Sequence, residues 1–372
     1  MKRQICVFCE AWASGGIESF FANILTKMER ADLTIDLVAS ELRESVFRED
    51  LERCGVRFHE LSGSRWRIGE NRKLLKKLLS ERSYDVFHAN LYEGVAFTYL
   101  DAARRAGVPT RVAHSHNTRL RANPLWPVKM AGHEAGKLLL SGTATDYWAC
   151  SRDAARFLFS DQKDFHFIPN GIDTNRFRFS AEVRGRVRTE LNLGEALVVG
   201  NVGRLCSQKN QAFLLDAFAS LVRQRPDSIL LLLGGGADLP LLQKRAENLG
   251  IYDRVRFLGT TDRVEDYLCA MDVFAFPSRF EGLGIVAIEA QASGLPVLCS
   301  ERVPEEAKAL PLARSLPLSA GAERWAEELL HLAAKREDRT ACADAVRDKG
   351  YDSGAVARRI ETFYLTGRLD NE

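Results

Sequence analysis

Two glutamates pose the first chemical question. In SRFEGLGIVAIEAQASGLPVLCS, residues 278–300, Glu281 and Glu289 stand among small and apolar residues, with seven positions between them. A carboxylate kept from water needs hydrogen-bond donors or a cation, and the hydroxyls of a sugar supply such donors. Pro277 should stop the strand Val273–Phe276, Glu281-Gly282-Leu283-Gly284 should form a loop, and Ile285–Ala292 reads as a helix. Glu281 then stands at the rim and Glu289 inside the helix. Eight helical positions turn through roughly 800°, or 80° net, so both acids can face one site. The glycines leave backbone amides free beside them. A carboxylate at a helix start is also common through capping and the helix dipole. That reading accounts for Glu281 and less well for a second acid inside an apolar helix.

Cations stand at another strand exit. NVGRLCSQKN, residues 201–210, ends a strand at Gly203 and continues with Arg204 and Lys209. Arginine is a bidentate fork for phosphate and lysine a point charge. Together they could neutralise a diphosphate; singly, such cations are as readily solvated surface residues. EAWASGGIESF, residues 10–20, places Gly15-Gly16 before a helix, where free amides suit a phosphate. A tight turn is the plainer reading, and the dinucleotide fingerprint G-x-G-x-x-G is not matched. LLLLGGGADLP, residues 230–240, is open between a nucleotide loop and a flexible exit.

The elements that position these residues alternate. Strand-like segments at Ile5–Phe8, Ile35–Ala39, Tyr84–His88, Arg111–His114, Tyr147–Cys150 and Phe165–Ile168 are separated by helical patterns such as Arg72–Arg82 and Gly94–Arg105. Alternation pauses over residues 169–196. It restarts with Leu197–Val202, Ile229–Leu233, Val255–Leu258, Val273–Phe276 and Pro296–Cys299. The pattern predicts an α/β chain of two Rossmann-like, doubly wound domains facing across a cleft, with ligands at the carboxyl ends of strands. The expected divisions are 1–180, 181–348 and a terminal helical segment, 349–372, that crosses back to the first domain.

A length of 372 residues fits two domains, and a net charge of +2 offers no bulk attraction for nucleic acid. The charge is uneven: residues 1–180 hold 27 Lys and Arg against 22 Asp and Glu, the rest 25 against 28. No apolar run approaches the ~18 residues of a membrane span. The start, MKRQICVFCEAW, is too short in apolar residues for a signal peptide. A cytoplasmic chain with eight free thiols is expected. Cys6 and Cys9 fall on the first strand-like stretch, where an odd separation points them to opposite faces, so neither redox nor zinc chemistry is expected of them.

These motifs together resemble glycosyltransferase family 4, retaining enzymes of the GT-B architecture. FPSRFEGLGIVAIEAQASGLPVL resembles the family's paired-glutamate motif, NVGRLCSQKN its phosphate-binding segment and GGIESF its N-terminal glycine loop. FIPNGID with Phe177 is similar to the segment closing the first domain, and DVFHAN and RVAHSHNT to its strand exits. The likeness runs from about residue 5 to residue 300, more loosely in WAEELL and YDSGAVARRIETFY, and is nearest to transferases of capsular and exopolysaccharide synthesis. ERVPEEAKALP, after Ser300, departs from the Gly-Gly-Glu segment common there.

The resemblance implies roles. Glu281 would contact donor-sugar hydroxyls and Glu289 the ribose. Arg204 and Lys209 would bind the diphosphate, helped by Gly203, by the amides of Gly16 and of Leu283 to Ile285, and by the room that Gly15, Gly282 and Gly284 leave. His116 would be the active-site histidine, with His88 and Asn117 on the acceptor side. It implies transfer, with retention, of a hexose-type sugar from a nucleotide sugar such as a UDP-sugar to a saccharide acceptor, with no metal or other cofactor; no D-x-D motif occurs. A GT-B epimerase or hydrolase, or a non-catalytic sugar-nucleotide sensor, is the alternative. A nicotinamide oxidoreductase is disfavoured, because the chain lacks the glycine fingerprint and the ribose-binding acid about 20 residues on.

Residues 102–137 hold Arg104, Arg105, Arg111, Arg119, Arg121, Lys129 and Lys137 against the single acid Glu134, with Leu125, Trp126, Val128 and Met130 among them. Arg65, Trp66 and Arg67 precede NRKLLKKLL. Such a surface can rest on an anionic leaflet or simply be solvated. The expectation is docking on the inner face of the plasma membrane to meet a polyprenyl-diphosphate-linked sugar.

Overall fold

The computed structural model describes residues 2–13, 16–120, 126–159, 163–335 and 338–369. A first sheet contains β1 (Arg3–Trp12), β2 (Leu33–Leu42), β3 (Arg57–Glu60), β4 (Val86–Leu91), β5 (Thr110–Ser115), β6 (Asp146–Ala149) and β7 (His166–Phe167), in the order β3-β2-β1-β4-β5-β6-β7. A second contains β8 (Leu197–Val202), β9 (Ser228–Leu233), β10 (Val255–Gly259), β11 (Val273–Phe276), β12 (Val297–Ser300) and β13 (Ala313–Leu316), in the order β10-β9-β8-β11-β12-β13. Neighbouring strands pair in parallel in both. A parallel sheet is covered on both faces, which is why β9 reads SILLLL with every position buried. The architecture is the doubly wound, Rossmann-like pair expected from the alternation.

Two strands escape the sequence pattern. β3 (RFHE) and β13 (ARSL) are four residues long, lie at sheet edges and are buried at none of their positions. An edge strand exposed in this way needs no apolar run, so periodicity carries no signal for it.

By contacts the chain divides into Met1–Gly171 with Ser353–Glu372, and Ile172–Asp352. The helix Ser353–Thr366 belongs to the first unit. Its Val356, Ala357, Ile360, Phe363 and Tyr364 share that unit's core with Trp12, Phe20, Phe21 and Trp148. Large side chains buried this way contribute about 1.5–3 kcal/mol each. Polar ties fix its register: Arg359 Nη1 donates to Phe167 O at 3.0 Å, and Glu361 Oε1 accepts from Arg30 N at 2.7 Å. Cys6 and Cys9 are buried on β1, and loss of water raises both thiols, as inert core cysteines require.

Strand order reverses direction between β1 and β4 in the first sheet and between β8 and β11 in the second. Such switch points are where open parallel sheets bind ligands. Arg204 and Lys209 leave β8, and Glu281 leaves β11.

Candidate active site

In the second unit the exits of β8 and β11 are stitched into one structure. Arg279 N donates to Gln208 O at 2.8 Å, Gln208 Nε2 to Phe280 O at 3.0 Å, and Asn210 Nδ2 to Pro277 O at 3.1 Å. Beneath them Asn201 Nδ2 donates to Ala275 O at 2.8 Å, and Gln211 Nε2 to Arg204 O at 3.2 Å. The loop bearing Arg204 and Lys209 is therefore held in register with the loop bearing Glu281.

Lys209 Nζ lies 2.7 Å from Glu281 Oε1 and 4.9 Å from the centre of the Phe276 ring. Glu281 is 7% exposed, so it is buried under Lys209 rather than standing at an open rim. Two glycines make room. Gly203 has φ +151°, and a Cβ there would meet Lys209 Cε at 3.3 Å. Gly284 has φ +92°, and a Cβ would lie 2.9 Å from Phe276 Cε1. Only glycine turns the chain into the helix Ile285–Ala292 at this spot. That helix has no side-chain cap and no acid in its first turn, so its dipole is available to an anion from Leu283 to Ile285. Arg204 is exposed, and its guanidinium makes no hydrogen bond or ion pair among the described residues.

Glu289 lies on the half-open side of the same helix. Loss of water pushes its carboxyl up to about 7; Glu265 adds to the rise, while Arg176 and Lys209 oppose it. Arg176 Nη2 is paired with Glu265 Oε2 at 2.9 Å. Lys209 thus acts electrostatically on both predicted glutamates. Arg176, next to Phe177, and Glu265 were not legible as site residues, because their partners are far away in sequence.

In the first unit Gly16 opens the helix Gly16–Leu25, and Gly15 lies outside the described residues. His116 follows β5 and is 6% exposed. Its ring lies 4.1 Å from that of His114 and 5.0 Å from that of Phe20, centre to centre. Burial pushes His116 down to about 3, so it is a neutral imidazole. Among the described residues neither ring nitrogen completes a hydrogen bond, although Asn170 approaches. His88 is fully buried, with Nδ1 2.6 Å from Tyr364 Oη and Nε2 3.0 Å from His114 Nδ1. With both nitrogens engaged, His88 supports the other histidines and has none left for an acceptor. Asn117, partly exposed, is next to His116 in the chain. Two acids at the first switch point went unread. Glu10, which interrupts the apolar run of β1, is pushed up to about 7 by loss of water and by Glu93, and Glu93 is itself raised by loss of water.

Residues 184–348 match the family model for glycosyl transferases group 1, and residues 14–176 the model for glycosyltransferase family 4. EpsF of Bacillus subtilis (strain 168) is 31% identical over 352 residues, covering 91% of this chain and 90% of EpsF. The chain belongs to glycosyltransferase family 4. Two further relatives of this glycosyltransferase are more partial. A GDP-mannose-dependent alpha-(1-6)-phosphatidylinositol monomannoside mannosyltransferase of Mycobacterium tuberculosis (strain CDC 1551 / Oshkosh) is 32% identical over 53% of each chain. The UDP-Gal:alpha-D-GlcNAc-diphosphoundecaprenol alpha-1,3-galactosyltransferase of Escherichia coli is 28% identical over 61% of this chain and 60% of its own. Among solved structures, Anabaena Alr3699/HepE, crystallised with UDP, superposes with a TM-score of 0.79 at 19% identity, covering 99% of this glycosyltransferase and 100% of HepE. That likeness supports the GT-B fold.

In a glycosyltransferase the bond to break joins a sugar to a diphosphate, and negative charge grows on the departing phosphate. An unpaired guanidinium and a lysine at the exit of β8, with a helix N-terminus after β11, are groups that stabilise such charge without reorganising.

Proposed function

We propose that this glycosyltransferase moves a hexose-type sugar from a UDP-sugar to a saccharide acceptor, with retention of anomeric configuration, in the synthesis of a cell-surface polysaccharide. The observation that carries the reading is the Lys209–Glu281 pair, with Arg204 exposed beside it at the exit of β8. Lys209 spends one N–H on Glu281 and keeps two for a phosphate. Glu281 and Glu289 present carboxylates to sugar and ribose hydroxyls. HepE was solved with UDP, and the Escherichia coli relative is named for a UDP-sugar donor and a diphosphoundecaprenol-linked acceptor, which favours UDP and a lipid-linked acceptor here.

The acceptor hydroxyl attacks the anomeric carbon on the face from which UDP leaves. Its proton passes to the leaving phosphate oxygen, and the carbon–oxygen bond to UDP breaks. His116, neutral at physiological pH, would orient a hydroxyl rather than act as a cation. Arg204, Lys209 and the amides near Ile285 supply the positive charge, so the reading is metal-independent.

The first unit carries surface suited to a membrane-bound acceptor. On the helix Trp126–Leu140, Val128, Leu138 and Leu139 are 71%, 83% and 75% exposed. Trp66 is exposed nearby, with Arg65 and Lys129 over its ring at 4.6 and 5.1 Å. Arg121 and Leu125 lie outside the described residues. No helix among the described residues is long and apolar enough to cross a membrane.

Incubation of the purified chain with UDP-glucose, UDP-galactose, UDP-N-acetylglucosamine and GDP-mannose, with and without polyprenyl-diphosphate-linked sugars, tests the reading. Acceptor-dependent release of UDP, with the α-anomer of the donor kept in the product, is expected. Efficient turnover without acceptor would replace it with a hydrolase or epimerase, and use of GDP-mannose alone would overturn the donor.

A further inference from the structure

The histidine stack is wired to the far end of the chain. Tyr364 Oη lies 2.6 Å from His88 Nδ1, and His88 Nε2 lies 3.0 Å from His114 Nδ1. Tyr364, His88 and His114 are fully buried, inside a box of Phe20, Phe21, Trp148 and Phe363. Water cannot settle the tautomers there, so the hydrogen bonds must. Loss of water holds all three histidines neutral, which leaves one proton for each ring.

Only two proton arrangements satisfy this chain. In one, Tyr364 donates to His88 Nδ1, His88 Nε2–H donates to His114 Nδ1, and His114 is left with Nε2–H. In the other every bond reverses, the Tyr364 hydroxyl proton finds no acceptor, and His114 Nε2 becomes a bare lone pair. The second arrangement strands a buried O–H and a buried acceptor, the first only one N–H. Among the described residues, His114 Nε2, both nitrogens of His116 and Asn170 Oδ1 are buried and complete no hydrogen bond, although Asn170 approaches His116. Trp148 Nε1 is likewise unpaired, so no indole N–H is spent on His114.

We propose that the C-terminal helix sets the tautomers of this stack through Tyr364, so that His114 presents a neutral Nε2–H donor beside His116 for a hydroxyl oxygen of the bound sugar. Tyr364 and His88 are positioning residues: neither reaches the ligand, and both decide what His114 offers it. The tautomer assignment stands on the hydrogen bonds alone, while the sugar contact rests on the function proposed above.

Long-range nitrogen–proton NMR of the intact, ligand-free protein reads each tautomer directly, and seven histidines are few enough to assign by substitution. His88 and His114 should both carry the proton on Nε2. A proton on His114 Nδ1 overturns the proposal outright. Tyr364→Phe should release the constraint and give mixed tautomers in a protein that still melts cooperatively; unchanged tautomers in that variant would also overturn it. For transfer, His114→Gln, whose amide nitrogen falls near the Nε2 position, should retain about tenfold more turnover than His114→Asn at equal donor KM. Equal losses in the two variants would remove the sugar contact. If no sugar moves in any variant or in the parent while the tautomers are as stated, the proposed function fails and the wiring stands.

Discussion

Lys209 Nζ and Glu281 Oε1, from the exits of two neighbouring strands, form a 2.7 Å ion pair whose side chains are 18% and 8% exposed. Burying two charges is tolerable because each answers the other, and removing one leaves the second desolvated and alone. Lys209→Ala should therefore destabilise the protein by about 3 kcal/mol. Lys209→Met with Glu281→Gln should recover most of that loss, since both charges go together. Denaturant unfolding followed at Trp325, the only tryptophan in residues 172–352, reads this. A double variant as unstable as Lys209→Ala would show that the pair is not the cause.

Arg204 separates function from stability. Its guanidinium is exposed and unpaired among the described residues, so Arg204→Ala should change stability by less than about 0.5 kcal/mol. Turnover should fall roughly a hundredfold, about 3 kcal/mol of transition-state stabilisation. Arg204→Lys should restore only part, because lysine lacks the bidentate fork. Full activity in Arg204→Ala would remove the arginine from the phosphate site.

Glu289 predicts a pH signature. Its carboxyl is raised from 4.5 to about 7 in the folded state. Between those values the unfolded chain ionises first, so this group's contribution to stability falls as pH rises and stays low above 7. Glu289→Gln should gain up to about 3 kcal/mol over the parent above pH 7 and nothing below pH 4.5. If the carboxylate holds the ribose, UDP favours its ionised form, and binding near pH 6.5 should release a proton. Calorimetry in two buffers of different ionisation enthalpy measures that release; proton uptake would contradict the role.

The buried histidines predict the opposite slope. His88 and His116 sit at about 3 when folded, against 6.5 ordinarily. The unfolded chain binds protons first as pH falls from 6.5 toward 3, so their stabilisation is full above 6.5 and lost below it. Glu10, raised to about 7, and Glu93, raised as well, work the other way, but they are two groups against three histidines. Acid should therefore unfold the first unit, with Trp12 and Trp148 in its core, before Trp325 is exposed. Simultaneous loss of both signals would refute the ordering.

The helix Trp126–Leu140 should anchor the protein to anionic vesicles at low salt, with binding that weakens as salt screens Lys129, Lys137 and their basic neighbours. Val128→Asp with Leu138→Asp and Leu139→Asp should abolish co-sedimentation while leaving the fold intact, because all three side chains are exposed. Retained binding in that variant would move the contact elsewhere.

The alternation of apolar strands and amphipathic helices sufficed to place two doubly wound units, because burial on both faces writes continuous apolar runs such as that of β9. The placing of Gly284, Glu281, Glu289, Arg204 and Lys209 at strand exits and on the helix that follows was legible for a related reason: glycines and charges mark where an apolar run ends and the backbone turns. Exposed edges left no such mark, so β3 and β13 were invisible. What tertiary structure alone decided is which groups share a charge or a proton. Lys209 closes over Glu281 across 72 residues, Arg176 pairs with Glu265 and feels the charge of Glu289, and Tyr364 reaches His88 across 276. Hydrogen bonding and desolvation act over a few ångströms of space whatever the separation along the chain, so only the fold could show that a tyrosine near the C-terminus governs histidines at the exit of β5.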